Sequence, residues 1–451
     1  MLVRIIFLAC KLLGTILQNF RLGAGGTWPG EIALKLEPRL IQKLSQQFNK
    51  GIIIVAGTNG KTTTSLMIAH CLKLHGDTVV HNATGANLLN GIAAALINNS
   101  NWKCAIVADW AVFEVDENSL PLLVEELISS SSTERSKSRS YTKENSRHSS
   151  NNTLSIVLLN LFRDQLDRYG EVDVIAQKWE RAIAIVDSET TLVVNADDPL
   201  LVHLSNKHNN ARYFGLTDSM YYLKGYEHAT DSIYCLKCGA KLTYKGIYFS
   251  HLGDWKCSSC GFSKPLLKHK KHISPLHGVY NLYNTLAAYE LLESIGLSNQ
   301  EITQNLKSFK AAFGRQEELE WNGRKIQVYL SKNPAGFNAS LRTIIEQNAK
   351  SILLVLNDRI PDGRDVSWIW DVDFEMIPEK TNLTVSGDRA YDMGLRIKYS
   401  ENNGKLHIEP RIDSAIQTAL NALATGETLY ILPTYSAMLE VRKIVTGKKI
   451  L

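Results

Sequence analysis

The chain has 451 residues, long enough for two or three domains. Its apolar fraction of 44% permits real cores, which excludes a disordered or fibrous chain. A net charge of +5 suits an anionic ligand or a membrane surface, but is too weak to imply nucleic acid by itself.

The first residues, Met1 to Leu13, mimic a signal peptide, but Lys11 interrupts the apolar run and no small-residue cleavage site follows directly. The run is too short to span a bilayer, which takes about 20 apolar residues. It reads as a docked amphipathic helix, with contact at a membrane surface as the second reading. Residues 5–20 and 30–48 are expected to be helical.

From residue 51 strands and helices alternate: strands at 51–56, 78–81 and 103–107, helices at 62–74 and 86–97. This is the pattern of a parallel sheet with helices on its faces. Between the first strand and its helix lies Gly57-Thr58-Asn59-Gly60-Lys61-Thr62-Thr63. A strand, a glycine turn and a helix form a phosphate cradle, with backbone N–H groups aimed at the anion. Lys61 is placed to reach the β- and γ-phosphates and the Thr62 hydroxyl to ligate Mg²⁺. The usual loop has an earlier glycine where Val55 stands, so this is a compact variant.

A phosphate loop holding ATP needs acidic residues for Mg²⁺. Glu114 follows Ala111-Val112-Phe113 near a strand end and suits that task; a solvated strand terminus is the plainer reading. Residues 129–153 are rich in Ser, Arg, Lys and Asn and are expected to form a disordered insertion. Buried strands resume at 154–160 and 191–195. Asn160 to Arg168 and Asn195 to Pro199 follow them directly, where doubly wound sheets bind ligands.

The chain has seven cysteines. Cys235-x-x-Cys238 and Cys257-x-x-Cys260 each end in Cys-Gly and predict two knuckles around one structural Zn²⁺, in a reducing compartment. Residues 230–265 are therefore read as a zinc ribbon. Its lysines and aromatics (Lys241, Lys245, Lys256, Tyr244, Tyr248, Trp255) leave open a nucleic-acid-binding role. A helix over 281–296 opens with His277-Gly278-x-x-Asn281-x-x-Asn284, whose two amides share one face as ligand contacts or as an N-cap. After Arg315 the pattern restarts, with strands at 326–331, 351–356, 382–385 and 428–432.

Together these motifs resemble the Mur ligase family, over roughly residues 45–450: Gly-Thr-Asn-Gly-Lys-Thr, the acidic Glu114, the His-Gly-x-x-Asn-x-x-Asn helix and Gly314-Arg315. A narrower resemblance, to the branch that amidates lipid II, rests on four further features. These are the four-cysteine ribbon, Asn160 to Gly170 with Glu171, Lys332 to Ser340, and Asn357-Asp358 with Asp362-Gly363-Arg364-Asp365 and the run to Glu375.

The resemblance implies an α/β architecture. It has an N-terminal helical segment (1–45), a central ATP-binding P-loop domain with the inserted ribbon (46–315), and a smaller C-terminal α/β domain (316–451). It implies ATP, Mg²⁺ and Zn²⁺, with Gly57 to Thr63, Asn281, Asn284 and Arg315 binding nucleotide and Thr62 and Glu114 binding Mg²⁺. It implies phosphorylation of the D-glutamate α-carboxylate of lipid II and attack by ammonia from a GatD-type glutaminase partner. Asp365 would complete the partner's catalytic triad. The expected location is the cytoplasm, at or near the inner face of the plasma membrane, without nucleic acid. Lys178 lies where the family carries a carbamylated lysine; a helix-surface lysine is the alternative. A stand-alone amino-acid ligase of the folylpolyglutamate or muramyl-peptide kind is the competing enzyme.

Overall fold

A computed structural model describes residues 10–12, 27–82, 86–137, 153–163, 172–225, 227–228, 230–267, 274–311, 314–401 and 404–447. The first unit contains α1 (Trp28–Leu36), α2 (Leu40–Ser45), β1 (Gly51–Ala56), α3 (Lys61–His75), β2 (Val79–His81), α4 (Leu89–Asn99), β3 (Trp110–Val115) and α5 (Ser119–Lys137). It continues with β4 (Thr153–Leu158), α6 (Val172–Ile185), β5 (Thr191–Asn195), α7 (Pro199–Ser205), β6 (Ala211–Phe214), the ribbon strands β7 (Thr243–Phe249) and β8 (Leu252–Lys256), α8 (Val279–Ser294) and α9 (Asn299–Lys307). The second unit contains β9 (Arg315–Trp321), β10 (Arg324–Tyr329), α10 (Pro334–Glu346), β11 (Ser351–Val355), β12 (Asn382–Ser386), α11 (Ala390–Tyr399), β13 (Leu406–Ile408), α12 (Ile412–Asn421), β14 (Thr428–Pro433) and α13 (Tyr435–Thr446).

The first sheet is parallel, in the order β2-β3-β1-β4-β5-β6. Parallel strands covered by helices on both faces are apolar throughout, and β1 is buried at every residue. Ile52 and Ile54 face the cluster that includes Ile92 of α4 and Trp179 of α6. Ile53 and Val55 face Met67 of α3 and Leu291 of α8. The second sheet, β13-β12-β11-β14-β10-β9, is parallel except for the β9–β10 hairpin. That hairpin turns on Asn322-Gly323, both with positive φ (51° and 73°), the pairing a tight hairpin turn favours.

Three expectations are corrected. No strand forms at 103–107: the Asn101 carboxamide oxygen captures the N–H groups of Lys103 and Ala105 in a local turn, and Val107 is 80% exposed. The buried strand lies at Trp110–Val115, so Glu114 is inside it. The helical stretch 30–48 is two helices, because Pro38 stands between them and disfavours helix at Glu37. The serine-rich stretch begins inside helix α5, which continues to Lys137; residues 138–152 of the expected insertion lie outside the described residues.

Of the N-terminal apolar run only residues 10–12 are described. Cys10 is buried there, and the Lys11 ammonium donates to the carbonyls of Ile97 and Ser100. Among the described residues no helix is long and apolar enough to cross a membrane.

Candidate active site

The phosphate loop joins β1 to α3 at the C-terminal edge of the first sheet. Gly57 and Gly60 have φ of 147° and 90°. A Cβ on Gly60 would stand 2.1 Å from Asn284 Oδ1, so only glycine lets the loop lie against α8. Asn160, directly after β4, brackets the loop: its Oδ1 accepts from Asn59 N at 2.8 Å and its Nδ2 donates to Asn59 O at 3.0 Å. The Thr58 hydroxyl accepts from Phe162 N at 3.0 Å. These bonds fix the loop before any ligand arrives.

Lys61 is 6% exposed. Its ammonium donates to the Gly57 carbonyl, to Thr58 O at 3.1 Å and to Glu117 Oε2 at 3.2 Å. Glu117 lies just after β3, where the indole N–H of buried Trp179 donates to its carbonyl at 2.8 Å. The pairing of Lys61 with Glu117 was not anticipated; only the general need for carboxylates near the loop signalled it.

In register, Val55 of β1 pairs with Glu114 of β3. Val55 and Val112 share the α3 face of the sheet, so alternation puts Glu114 on that face, beside the loop. Asn82 clamps the Glu114 backbone on both sides, accepting from its N–H at 2.9 Å and donating to its carbonyl at 2.8 Å. Glu114 is 3% exposed, yet its Oε2 has no hydrogen-bond partner among the described residues, and neither has buried Thr62 Oγ1. A buried oxygen left bare is costly. A carboxylate and a hydroxyl in that state are hard oxygen donors, the set Mg²⁺ takes beside a phosphate. The residues present therefore fit the ion.

Arg315 reaches this region from the start of β9. Burial pulls its pKa down, and the negative charge of Glu114 opposes that shift. Asn281 and Asn284 brace the loop from α8: Asn281 donates to His277 O at 2.8 Å, and Asn284 donates to Asn281 Oδ1 at 3.0 Å and accepts from Thr64 Oγ1 at 3.3 Å. Thr63 is buried in the first turn of α3. Lys178 is an exposed residue of α6 whose ammonium donates to Asn118 Oδ1 at 2.8 Å.

The C-terminal unit also touches the loop. Asn333 caps α10, accepting from Gly336 N at 2.8 Å, and its carboxamide pairs reciprocally with that of Asn59, at 3.0 and 3.2 Å. Asp365 stands elsewhere, on the exposed surface of the second unit. There the Ser367 N–H holds its carboxylate below the usual range.

The four paired cysteines converge, with Sγ atoms within 4.8 Å of one another and pairs at 3.5 and 3.6 Å. Thiolates about 2.3 Å from a tetrahedral Zn²⁺ stand about 3.8 Å apart, so the set fits that ion. Gly239 and Gly261 close each knuckle in the left-handed region, with φ of 75° and 76°. Trp255 and Tyr248 are buried at 1%, and Trp255 Nε1 donates to Ala196 O at 3.1 Å. Two of the three aromatics named for that role, Tyr248 and Trp255, are thus buried and offer no stacking platform to a nucleic acid. Asp164, Asp167 and Arg168 lie outside the described residues.

Comparison with known proteins agrees with this geometry. Residues 55–292 match the Mur ligase middle domain family, and residues 330–438 match the MurT ligase C-terminal family. The chain is 32% identical over 436 residues to the lipid II isoglutaminyl synthase (glutamine-hydrolyzing) subunit MurT of Staphylococcus aureus, covering 92% of this chain and 91% of that one. It is 29% identical over 453 residues to the subunit of the same name from Streptococcus pneumoniae, covering 95% and 94%. Among solved structures, a pseudomurein peptide ligase type C from Methanothermus fervidus superposes with a TM-score of 0.60 at 20% identity, over 88% of this chain and 79% of that one. MurF ligase from Thermotoga maritima, in complex with ADP, gives 0.60 at 15% identity, over 93% and 84%. These structural likenesses extend the fold argument across both units, and the sequence likeness narrows it: the chain belongs to the Mur ligase family, in its MurT branch.

Proposed function

We propose that this protein is the ligase subunit of a lipid II isoglutaminyl synthase and amidates the α-carboxylate of D-glutamate in the lipid II stem peptide. A carboxylate is a poor electrophile. Transfer of the ATP γ-phosphoryl to one of its oxygens releases ADP and creates an acyl phosphate. Ammonia then attacks the acyl carbon, phosphate leaves, the nitrogen loses a proton, and D-isoglutamine remains. Free ammonia is mostly protonated at neutral pH, so a docked GatD-type glutaminase would deliver it. The membrane-anchored substrate places the reaction at the inner face of the plasma membrane.

The observation that carries this reading is the pair of bare buried oxygens, Thr62 Oγ1 and Glu114 Oε2, beside a braced phosphate loop. They would hold Mg²⁺, whose charge offsets that of the phosphates. The Lys61 ammonium would leave the loop carbonyls and Glu117 for the transferring phosphoryl, stabilising charge that develops there. Arg315 would approach the same charge from the second unit. Asn59, Thr58, Gly57 and Gly60 shape the cradle, while Asn281 and Asn284 hold it against α8. The four thiolates would hold structural Zn²⁺, which leaves no open position for chemistry.

Asp365 is exposed and its carboxylate is stabilised as the anion by Ser367 N–H. This suits an acidic partner for a histidine on a separate glutaminase. The test is amidation of lipid II by the complex with Asp365→Asn. Glutamine-driven activity is expected to collapse while ammonium-driven activity stays near wild type. Equal loss of both would remove Asp365 from that role.

A further inference from the structure

The segment that leads into the cysteine ribbon sits between the two units and holds both. Buried Glu227 accepts from the backbone N–H of Ser250 at 2.6 Å, at the turn of the ribbon hairpin, and forms an ion pair with Arg342 of α10. His228 pairs with Asp373 of the second unit. Asp373 is itself locked to α10, accepting from Asn338 Nδ2 at 2.6 Å and donating its N–H to Asn338 Oδ1 at 2.9 Å. Asp231 accepts from Arg163 Nε at 2.5 Å and Arg163 N at 3.0 Å, next to Phe162, which is bonded to Thr58 of the phosphate loop. Arg163 Nη1 also reaches Asp371 at 3.7 Å. On the far side of the ribbon turn, fully buried His251 packs edge-on to Phe162 with ring centroids 4.9 Å apart and faces Asp198 at 3.4 Å.

Asn338 and Arg342 are four residues apart and share one face of α10. The same helix begins at Asn333, whose carboxamide meets Asn59. The ribbon arm therefore holds α10 directly at Arg342 and, through Asp373, at Asn338, while that helix touches the phosphate loop at its first turn. We propose that Glu227 and His228 form a latch on Arg342 and Asp373, and that these four are positioning residues that set the second unit against the phosphate loop for phosphoryl transfer. This rests on the reading of the loop as the phosphoryl-transfer site. A reaction between groups carried by two units depends on their alignment, and a misplacement of about 1 Å can cost about 10²-fold in rate.

The test uses the full chain with its amidotransferase partner, with ammonium chloride as nitrogen source and ATP turnover on lipid II as readout. Arg342→Met is expected to lower kcat by about 10- to 100-fold and to change KM for ATP by less than about 3-fold. Arg342→Lys should restore most of the rate. His228→Ala, at a mostly exposed position that the fold tolerates, should show the same split at smaller size. Hydrogen exchange on the full chain gives a second readout, independent of the reaction. Peptides covering residues 334–338 and 57–63 should exchange faster in Arg342→Met, with residues 243–256 unchanged.

Wild-type kcat and unchanged exchange in both variants would overturn the latch. So would equal loosening of the ribbon strands, which marks a merely structural pair. If the wild-type complex fails to amidate lipid II, the functional reading falls, while the exchange comparison still decides the latch.

Discussion

Strand β3 carries a carboxylate near each end, and the protein treats the two in opposite ways. Asp109, just before the strand, accepts from the Thr78 hydroxyl at 2.6 Å, the Thr78 N–H at 2.9 Å and Asn49 Nδ2 at 3.2 Å. Those bonds, the Thr78 hydroxyl first, bring its pKa down to about 2. Glu114, near the other end, is buried with one oxygen bare. The N-terminal end of the strand is finished when the chain folds. The C-terminal end is left incomplete, at the edge where β1 and β3 open onto the phosphate loop and where such sheets bind ligands.

Glu114→Gln tests the unfinished end and carries the largest expected effect. It keeps the size of the side chain and the Asn82 clamp on the backbone, but removes the negative charge. Amidation should fall by about 10²–10³-fold, equally with glutamine and with ammonium, as for loss of one preorganised electrostatic contact. The melting temperature should change little, because the relief of a buried oxygen without a partner is offset by the loss of the counter-charge to buried Arg315. Steady-state rates and thermal melts on the same preparation decide it. A variant that melts early and keeps its rate would reverse the assignment of the two ends.

Asp109→Ala should give the mirror image. Three hydrogen bonds are lost at a partly exposed place, costing about 1–2 kcal/mol after solvent screening. The melting temperature should fall by about 2–4 °C with kcat within about 2-fold of wild type. A comparable loss of rate would mean that the strand transmits strain to the loop and that the ends are not independent.

The same contrast explains what the sequence made legible. Features built from neighbours along the chain are readable there. The glycines of the phosphate loop, the apolar run of β1 and the two Cys-x-x-Cys-Gly knuckles each state their geometry within about ten residues. Asn322-Gly323 stated its hairpin as clearly, yet β9 went unread because its alternation is filled with Glu317, Glu318 and Glu320. Pairings across the fold are not readable. Nothing near Lys61 names Glu117, nothing near Asn59 names Asn333, and nothing near Glu227 names Arg342. Asn281 and Asn284 show the limit of motif reading: their spacing marks one helix face, but only the contact between α8 and Gly60 shows that the face braces the loop. The strand expected at 103–107 failed for a local reason, since the Asn101 side chain outcompeted a strand too short to hold its own donors.

The smallest expected effect, and the sharpest test of the finished end, is the pH dependence of Asp109. Its folded pKa of about 2 lies below the usual 3.8 of a free aspartate. A depressed carboxylate contributes stability that is fully present above the unfolded value and is lost as pH falls through the folded one. Other carboxylates titrate in the same range, so the wild-type curve alone says little. Asp109→Asn removes only this titration, and the difference in urea midpoint between variant and wild type isolates it. That difference should be constant above about pH 4 and shrink towards zero as pH approaches about 2. Most of it should survive moderate salt, because neutral donors, the Thr78 hydroxyl and N–H and the Asn49 amide, hold the anion and Lys50 is the last and weakest cause. A difference that is flat to the lowest pH, or abolished by salt, would make the anchor an ordinary surface charge and leave Glu114 without its counterpart.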